Sequence, residues 1–156
     1  MTFPQYLLYP TYTAVIGLVM LAVVPKEKIR QLVPFAVLFG GLGDFLWLLL
    51  FAFLGIGGYI NFGPFGFLGM PFFPPLAWTF FFIIYLYLLP DKFPWNYIFT
   101  LAGAGYSLVF SNVLQNLGIF QWRMGRFWVP FLIYVTWMLV VTYTYQYFFK
   151  DTKTHI

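Results

Sequence analysis

The chain contains no cysteine and a single histidine, His155, in its charged tail. Disulfides, thiolate metal sites and a cysteine nucleophile are therefore excluded, as are bis-histidine haem and histidine metal clusters. Charge is scarce as well. Eight Lys and Arg and four Asp and Glu make up 8% of 156 residues, where a soluble domain carries about 25%. That is too little to cover a globular surface. No phosphate-binding glycine loop, metal-ligand spacing or nucleophile–base pair occurs, so no cofactor and no metal are expected. The +4 net charge sits at the ends of apolar runs, which points to topology and not to a nucleic-acid partner.

What the chain has in abundance is apolar and aromatic surface: 62% hydrophobic and 26% aromatic residues, with mean hydropathy +0.85. The expected fold class is all-α, a polytopic cell-membrane protein built as one domain over 1–156. Five apolar runs near 6–24, 31–55, 73–90, 97–119 and 128–149 are separated by prolines, glycines and charges. Each approaches the roughly 20 residues that cross a bilayer. The N-terminal run lacks a basic leader and has its charges behind it, unlike a cleavable signal peptide.

Orientation follows from the basic residues. Lys26, Lys28, Arg30, Lys92, Lys150 and Lys153 fall on one side of a five-span arrangement, and Arg123 and Arg126 on the other. The N-terminus is therefore expected outside and the C-terminus inside. Arg123 and Arg126 face no acidic residue on their side and are read as contacts to lipid headgroups or another anion. Trp95, Trp122 and Trp128 lie at run ends, where indoles anchor at headgroups. Trp47, Trp78 and Trp137 lie inside runs and must pack or find a partner for the N–H.

Asp44 is the one carboxylate in a long uncharged run, QLVPFAVLFGGLGDFLWLLLFAFLG. A bare carboxylate at that depth is costly, so it must be paired, protonated or reached by water. The fourth run carries Asn112, Gln115 and Asn116 within about one helical turn, hence on one face. At 1.5 Å per residue Asp44 lies roughly 20 Å into the second run, and Asn112 roughly 22 Å into the fourth. The levels match, so the four residues are expected to form a polar intramembrane cluster if the two helices are neighbours. Two uses stand open: a hydrogen-bond knot between helices, or a polar cavity for a proton, cation or small ligand. Catalysis lacks a second acid or histidine at that level.

Small residues mark close helix contacts. Gly103, Ser107 and Ser111 recur at four-residue spacing, and Gly40 lies beside Asp44; all four are assigned to helix packing. With small residues on one face and amides on another, the fourth run is expected to be the central helix. The stretch 55–75, with six glycines and four prolines, is too broken for a helix and too apolar for a free loop. It is expected in the interface or re-entering the membrane.

The order of an apolar span, VPKEKIR, a tryptophan-bearing span, an aromatic loop, a span ending in proline, a polar i, i+4 pair, a W-x-R region and a last span ending YFFK resembles one family. It comprises uncharacterised small five-helix membrane proteins of spore-forming Gram-positive bacteria. The resemblance covers most of residues 18–150 and implies the five-helix fold but no activity. The family's E-x-x-x-E corresponds to Asn112 and Asn116 here, so amides replace both acids. PPLAWTFFFIIYLYL echoes the tryptophan-rich sensory proteins, but in the third run and not near the first, and is not taken as homology.

The function expected from these residues is a structural or accessory subunit of a membrane assembly, without enzymatic activity. It would be homo-oligomeric or joined to other membrane subunits, with the lipid bilayer as its constant partner. One alternative is a small oligomeric channel or carrier for a proton, cation or small polar solute at Asp44. Another is a receptor for an apolar ligand in an aromatic pocket.

Overall fold

Prolines and glycines punctuate the helices. In the computed structural model, which describes residues 4–67 and 70–153, α1 (Leu8–Val23) stops where Val24 turns extended ahead of Pro25. α2 (Lys26–Ala36) begins directly after Pro25, with Glu27 in its first turn, where a carboxylate favours the helix dipole. Pro34 interrupts the hydrogen-bond ladder of α2, and the chain then widens into a π-helical segment, Val37–Leu42. That segment runs on into α3 (Gly43–Leu54), which ends on Gly55 at φ 68, a left-handed cap. α4 (Phe73–Leu88) carries proline in its first turn, and α5 (Trp95–Asn116) follows. The last helix is α6 (Trp128–Lys153).

The protein is mostly helical. Four helical stretches, Gln5–Val23, Lys26–Leu54, Trp95–Asn116 and Trp128–Phe148, are long and apolar enough to cross a membrane. α4 is equally apolar but shorter, at 16 residues. The outward surfaces are apolar, as lipid contact requires: Leu18, Leu21, Phe53 and Val109 are all exposed. His155 lies outside the described residues.

α4 is the hub, contrary to the expectation that the fourth run, α5, would be central. α1, α2, the π segment and α3 all pack on α4, whereas α5 packs chiefly on α6. The reason lies in glycines on three separate elements. Gly17 of α1 faces Phe80, Gly40 of the π segment meets the backbone of Trp78 and Thr79, and Gly103 of α5 meets Tyr85. Each missing side chain admits the same helix.

Two short antiparallel pairs close one end. β1 (Gly57–Tyr59) pairs with β4 (Phe120–Trp122), Gly57 opposite Trp122 and Tyr59 opposite Phe120. β2 (Gly66–Phe67) pairs with β3 (Met70–Pro71). The glycine–aromatic stretch is thus neither helix nor free loop: Gly57–Tyr59, Gly66–Phe67 and Met70–Pro71 pair as short strands. The fully buried Tyr9 hydroxyl reaches the carbonyls of Ile60 (2.5 Å) and Ile119 (2.7 Å), tying α1 to both loops. Tyr9→Phe should lower stability by about 1–3 kcal/mol, since two carbonyls lose the one hydroxyl proton they share. Thermal unfolding in detergent measures this, and an unchanged midpoint would refute it.

Away from that clasp, three helices share a buried polar knot. Tyr85 of α4 bonds Thr100 of α5 (3.1 Å) and Thr142 of α6 (2.7 Å), and the two threonines bond each other (2.9 Å). Asn96 donates to Gln146 (2.7 Å), which donates to the Pro90 carbonyl (3.0 Å). These bonds join the helices in the way that one of the two readings open for Asp44 and the amides would have it.

Candidate functional site

Asp44 lies in the first turn of α3 and is 4% exposed. It borders a cavity of about 10 Å³, roughly one water in size. The walls are aromatic: Trp47 and Phe51 from α3, Tyr59 from β1, Trp78 from α4, Phe120 from β4, and Tyr134 and Trp137 from α6. No basic side chain is among these neighbours. The Asp44 Oδ2 is buried with no hydrogen-bond partner.

The local backbone explains the box. Gly40 lets the π segment sit directly on α4, and Gly43 lies against the Trp137 indole. The Trp137 Nε1–H donates to the Phe39 carbonyl in the π segment (3.0 Å), which fixes α6 beside α3. The Trp78 Nε1–H donates to the Tyr59 hydroxyl (3.3 Å). Both indole donors are thus committed away from the carboxyl. Trp78 and Trp137 are in ring contact (4.6 Å between centroids, 50° between planes), and Trp47 meets Trp137 at 6.4 Å. Burial pushes the Tyr59 phenol well above the usual tyrosine range, so it stays neutral.

Tyr59 and Trp78 also wall a second void, of about 20 Å³, lined on its far side by Tyr12, Ser107 and Phe110. Among the described residues the Tyr12 hydroxyl and the Asp44 Oδ2 are the buried side-chain polar atoms without a partner, and they lie at voids that share Tyr59 and Trp78. Buried polar groups are normally bonded, so an orphan pair calls for an explanation.

The expected cluster of Asp44 with Asn112, Gln115 and Asn116 does not form. The amides grip the loop that follows α5. Arg126 donates through Nε to Asn112 Oδ1 (2.9 Å) and through Nη2 to the Asn112 carbonyl (3.2 Å) and Asn116 Oδ1 (2.7 Å). Asn112 Nδ2 donates back to the Arg126 carbonyl (2.9 Å), and Gln115 Oε1 accepts from the Trp122 backbone N–H (3.3 Å). Matching depth placed the residues at one level but carried no information about direction around the bundle. α3 turns toward α4, β1 and α6, and none of the Asp44 cavity wall comes from α5.

Arg123 and Arg126 are both exposed at this end. With the Gln121 amide oxygen turned toward it, Arg123 donates two bonds at 3.0 and 3.2 Å. Both guanidinium groups therefore rest on neutral amides, and their charge stays uncompensated by these partners. Trp95 and Trp128 are exposed, but Trp122 is not. It is buried, with its indole N–H donated to Ser111 Oγ (3.2 Å), because β4 folds back over the end of α5. Ser107 and Ser111 are buried and bond their own helix, at Gly103 O (2.8 Å) and Leu108 O (2.9 Å).

Sequence reasoning flagged Trp47, Trp78 and Trp137 without placing them together. It missed Tyr12, Tyr59 and Tyr134 altogether. The alternation of aromatics with Asp44 along α3 was a usable signal for Trp47 alone, one turn away. Among the described residues no three His, Cys, Asp or Glu come together as metal ligands. The chain matches no family model, no curated protein and no solved structure.

Proposed function

We propose that this chain is a multi-pass membrane protein, without enzymatic activity, that binds and carries a small cation at Asp44. The observation that carries this reading is the buried, unpartnered carboxyl oxygen at an aromatic-walled cavity about one water in size. A carboxyl that serves only structure ends in hydrogen bonds, and this one does not. Aromatic walls with a carboxylate at the base suit an ammonium-type cation, through ring quadrupoles and charge together.

In the membrane, α4 is the fifth crossing. The 26–30 cluster and Lys92 face the cytoplasm, with the β1–β4 clasp, Arg123 and Arg126 outside. The amide-supported arginines then lie level with lipid phosphates, their natural anion. A structural-subunit reading is less well supported, since the knot of Tyr85, Thr100 and Thr142 already joins the helices and leaves Asp44 without a task.

Reconstitution in phosphatidylcholine vesicles tests this. Radiolabelled methylammonium should enter vesicles carrying the protein, and Asp44→Asn should cut uptake at least ~10-fold, the equivalent of 1.4 kcal/mol in site affinity. Uptake equal to that of empty vesicles, or unchanged in a folded Asp44→Asn variant, would rule the reading out.

A further inference from the structure

A groove of about 340 Å³ runs between α6 and the π segment with α3, on the apolar flank of the bundle. Its walls include Leu38, Leu46, Leu50, Thr136 and Val140. Leu38, Leu46 and Val140 are each more than half exposed, so the groove faces whatever surrounds the bundle. Its volume falls within the range of small-molecule sites. Trp47 and Trp137 line the groove, and the same two residues line the Asp44 cavity. The apolar groove and the cavity with the unpartnered carboxyl thus share two tryptophans.

We propose that groove and cavity are two halves of one site for an amphiphilic primary amine entering from the bilayer. This rests on the reading of Asp44 as a cation site and names the class of cation. The alkyl chain lies in the groove, and the ammonium group occupies the water-sized space at Asp44. Charge complementarity selects the occupant: a neutral lipid tail fills the groove as well but leaves the carboxyl bare. The rings differ in how firmly they are held. Trp137 is fixed by its bond to Phe39 and by Gly43 against its ring, whereas Trp47 is held by ring contacts to Phe51 and Trp137. Trp47 is therefore the leaf that swings to join the two spaces. Binding needs no polar passage through the membrane, because the amine's own tail keeps it at the depth of the groove.

The experiment uses the full chain in phosphatidylcholine nanodiscs with two photoreactive probes of one length, a diazirine-bearing dodecylamine and the matching dodecanol. The amine should label Leu46, Leu50 or Val140 at least ~10-fold more than the alcohol does, and unlabelled dodecylamine should compete. Equal labelling by amine and alcohol, or no labelling of the groove, would overturn the inference. Methylammonium uptake in the same preparation separates the two ideas. If it depends on Asp44 while the groove is not labelled by the amine, only the groove falls; if it does not, the cation site falls with it. The test rests on comparing probes on the wild-type chain, so no variant has to fold for the groove to be judged.

Discussion

Asp44→Leu is expected to be more stable than the wild type by about 1–3 kcal/mol and inactive in cation uptake. The carboxyl oxygen is desolvated by seven aromatic and two aliphatic neighbours and recovers no hydrogen bond in return. An apolar side chain of similar length removes that penalty and fills the small void. Equilibrium unfolding in mixed micelles gives the stability change, and the methylammonium assay gives the activity. The combination matters because a structural carboxyl predicts the opposite pairing: loss of stability with nothing else to lose. A destabilised Asp44→Leu protein would therefore argue against a binding role, however large the effect on uptake. Gain of stability with loss of function is the pattern of a residue retained for its task.

The second large effect is expected at Gly40. A Cβ there would lie 2.7 Å from the Trp78 carbonyl oxygen, 2.8 Å from its carbon and 2.9 Å from the Thr79 nitrogen. All three are backbone atoms, so no rotamer change relieves the clash, and the π segment must move off α4. Gly40→Val should cost about 3 kcal/mol, at the upper end for overpacking. The same shift would displace Phe39 from the Trp137 indole and open the box around Asp44, so uptake should fall as well. Gly105 offers the control, since nothing lies within 4 Å of the place a methyl group would take there. Gly105→Ala should be neutral or slightly stabilising, as alanine is the better helix former. Equal unfolding midpoints for Gly40→Val and Gly105→Ala would remove the close-packing argument.

Residues with a local effect on backbone were legible in advance. Pro25, Gly55 and the prolines opening α4 mark helix boundaries through sterics that act within a few residues, and the observed ends fall close to the expected ones. Apolar run length likewise identifies helices fit for a bilayer. What a linear reading cannot supply is azimuth. Rise per residue gives Asp44 and Asn112 similar expected depths, but which way α3 turns is decided by Gly40 against α4 and Gly43 against Trp137, contacts far apart in the chain. Thr100 and Thr142 were passed over because threonine in a helix commonly bonds its own backbone, as Thr100 also does to Asn96 O. Tyr59 was out of reach for another reason. Gly57–Tyr59 has little strand propensity, and only pairing with Phe120–Trp122 makes it a strand at all.

That pairing has a consequence for how the protein is made. The two strands are separated in the chain by α4 and α5, so a ribosome delivers Gly57–Tyr59 well before its partner exists. Until Phe120–Trp122 emerges, the backbone groups of the first strand have no ladder, and the Tyr9 hydroxyl lacks its Ile119 acceptor. Until then the nascent chain carries an open strand edge. Emergence of Phe120–Trp122 behind α5 is the step that closes it, which ties the order of the first third of the chain to the last.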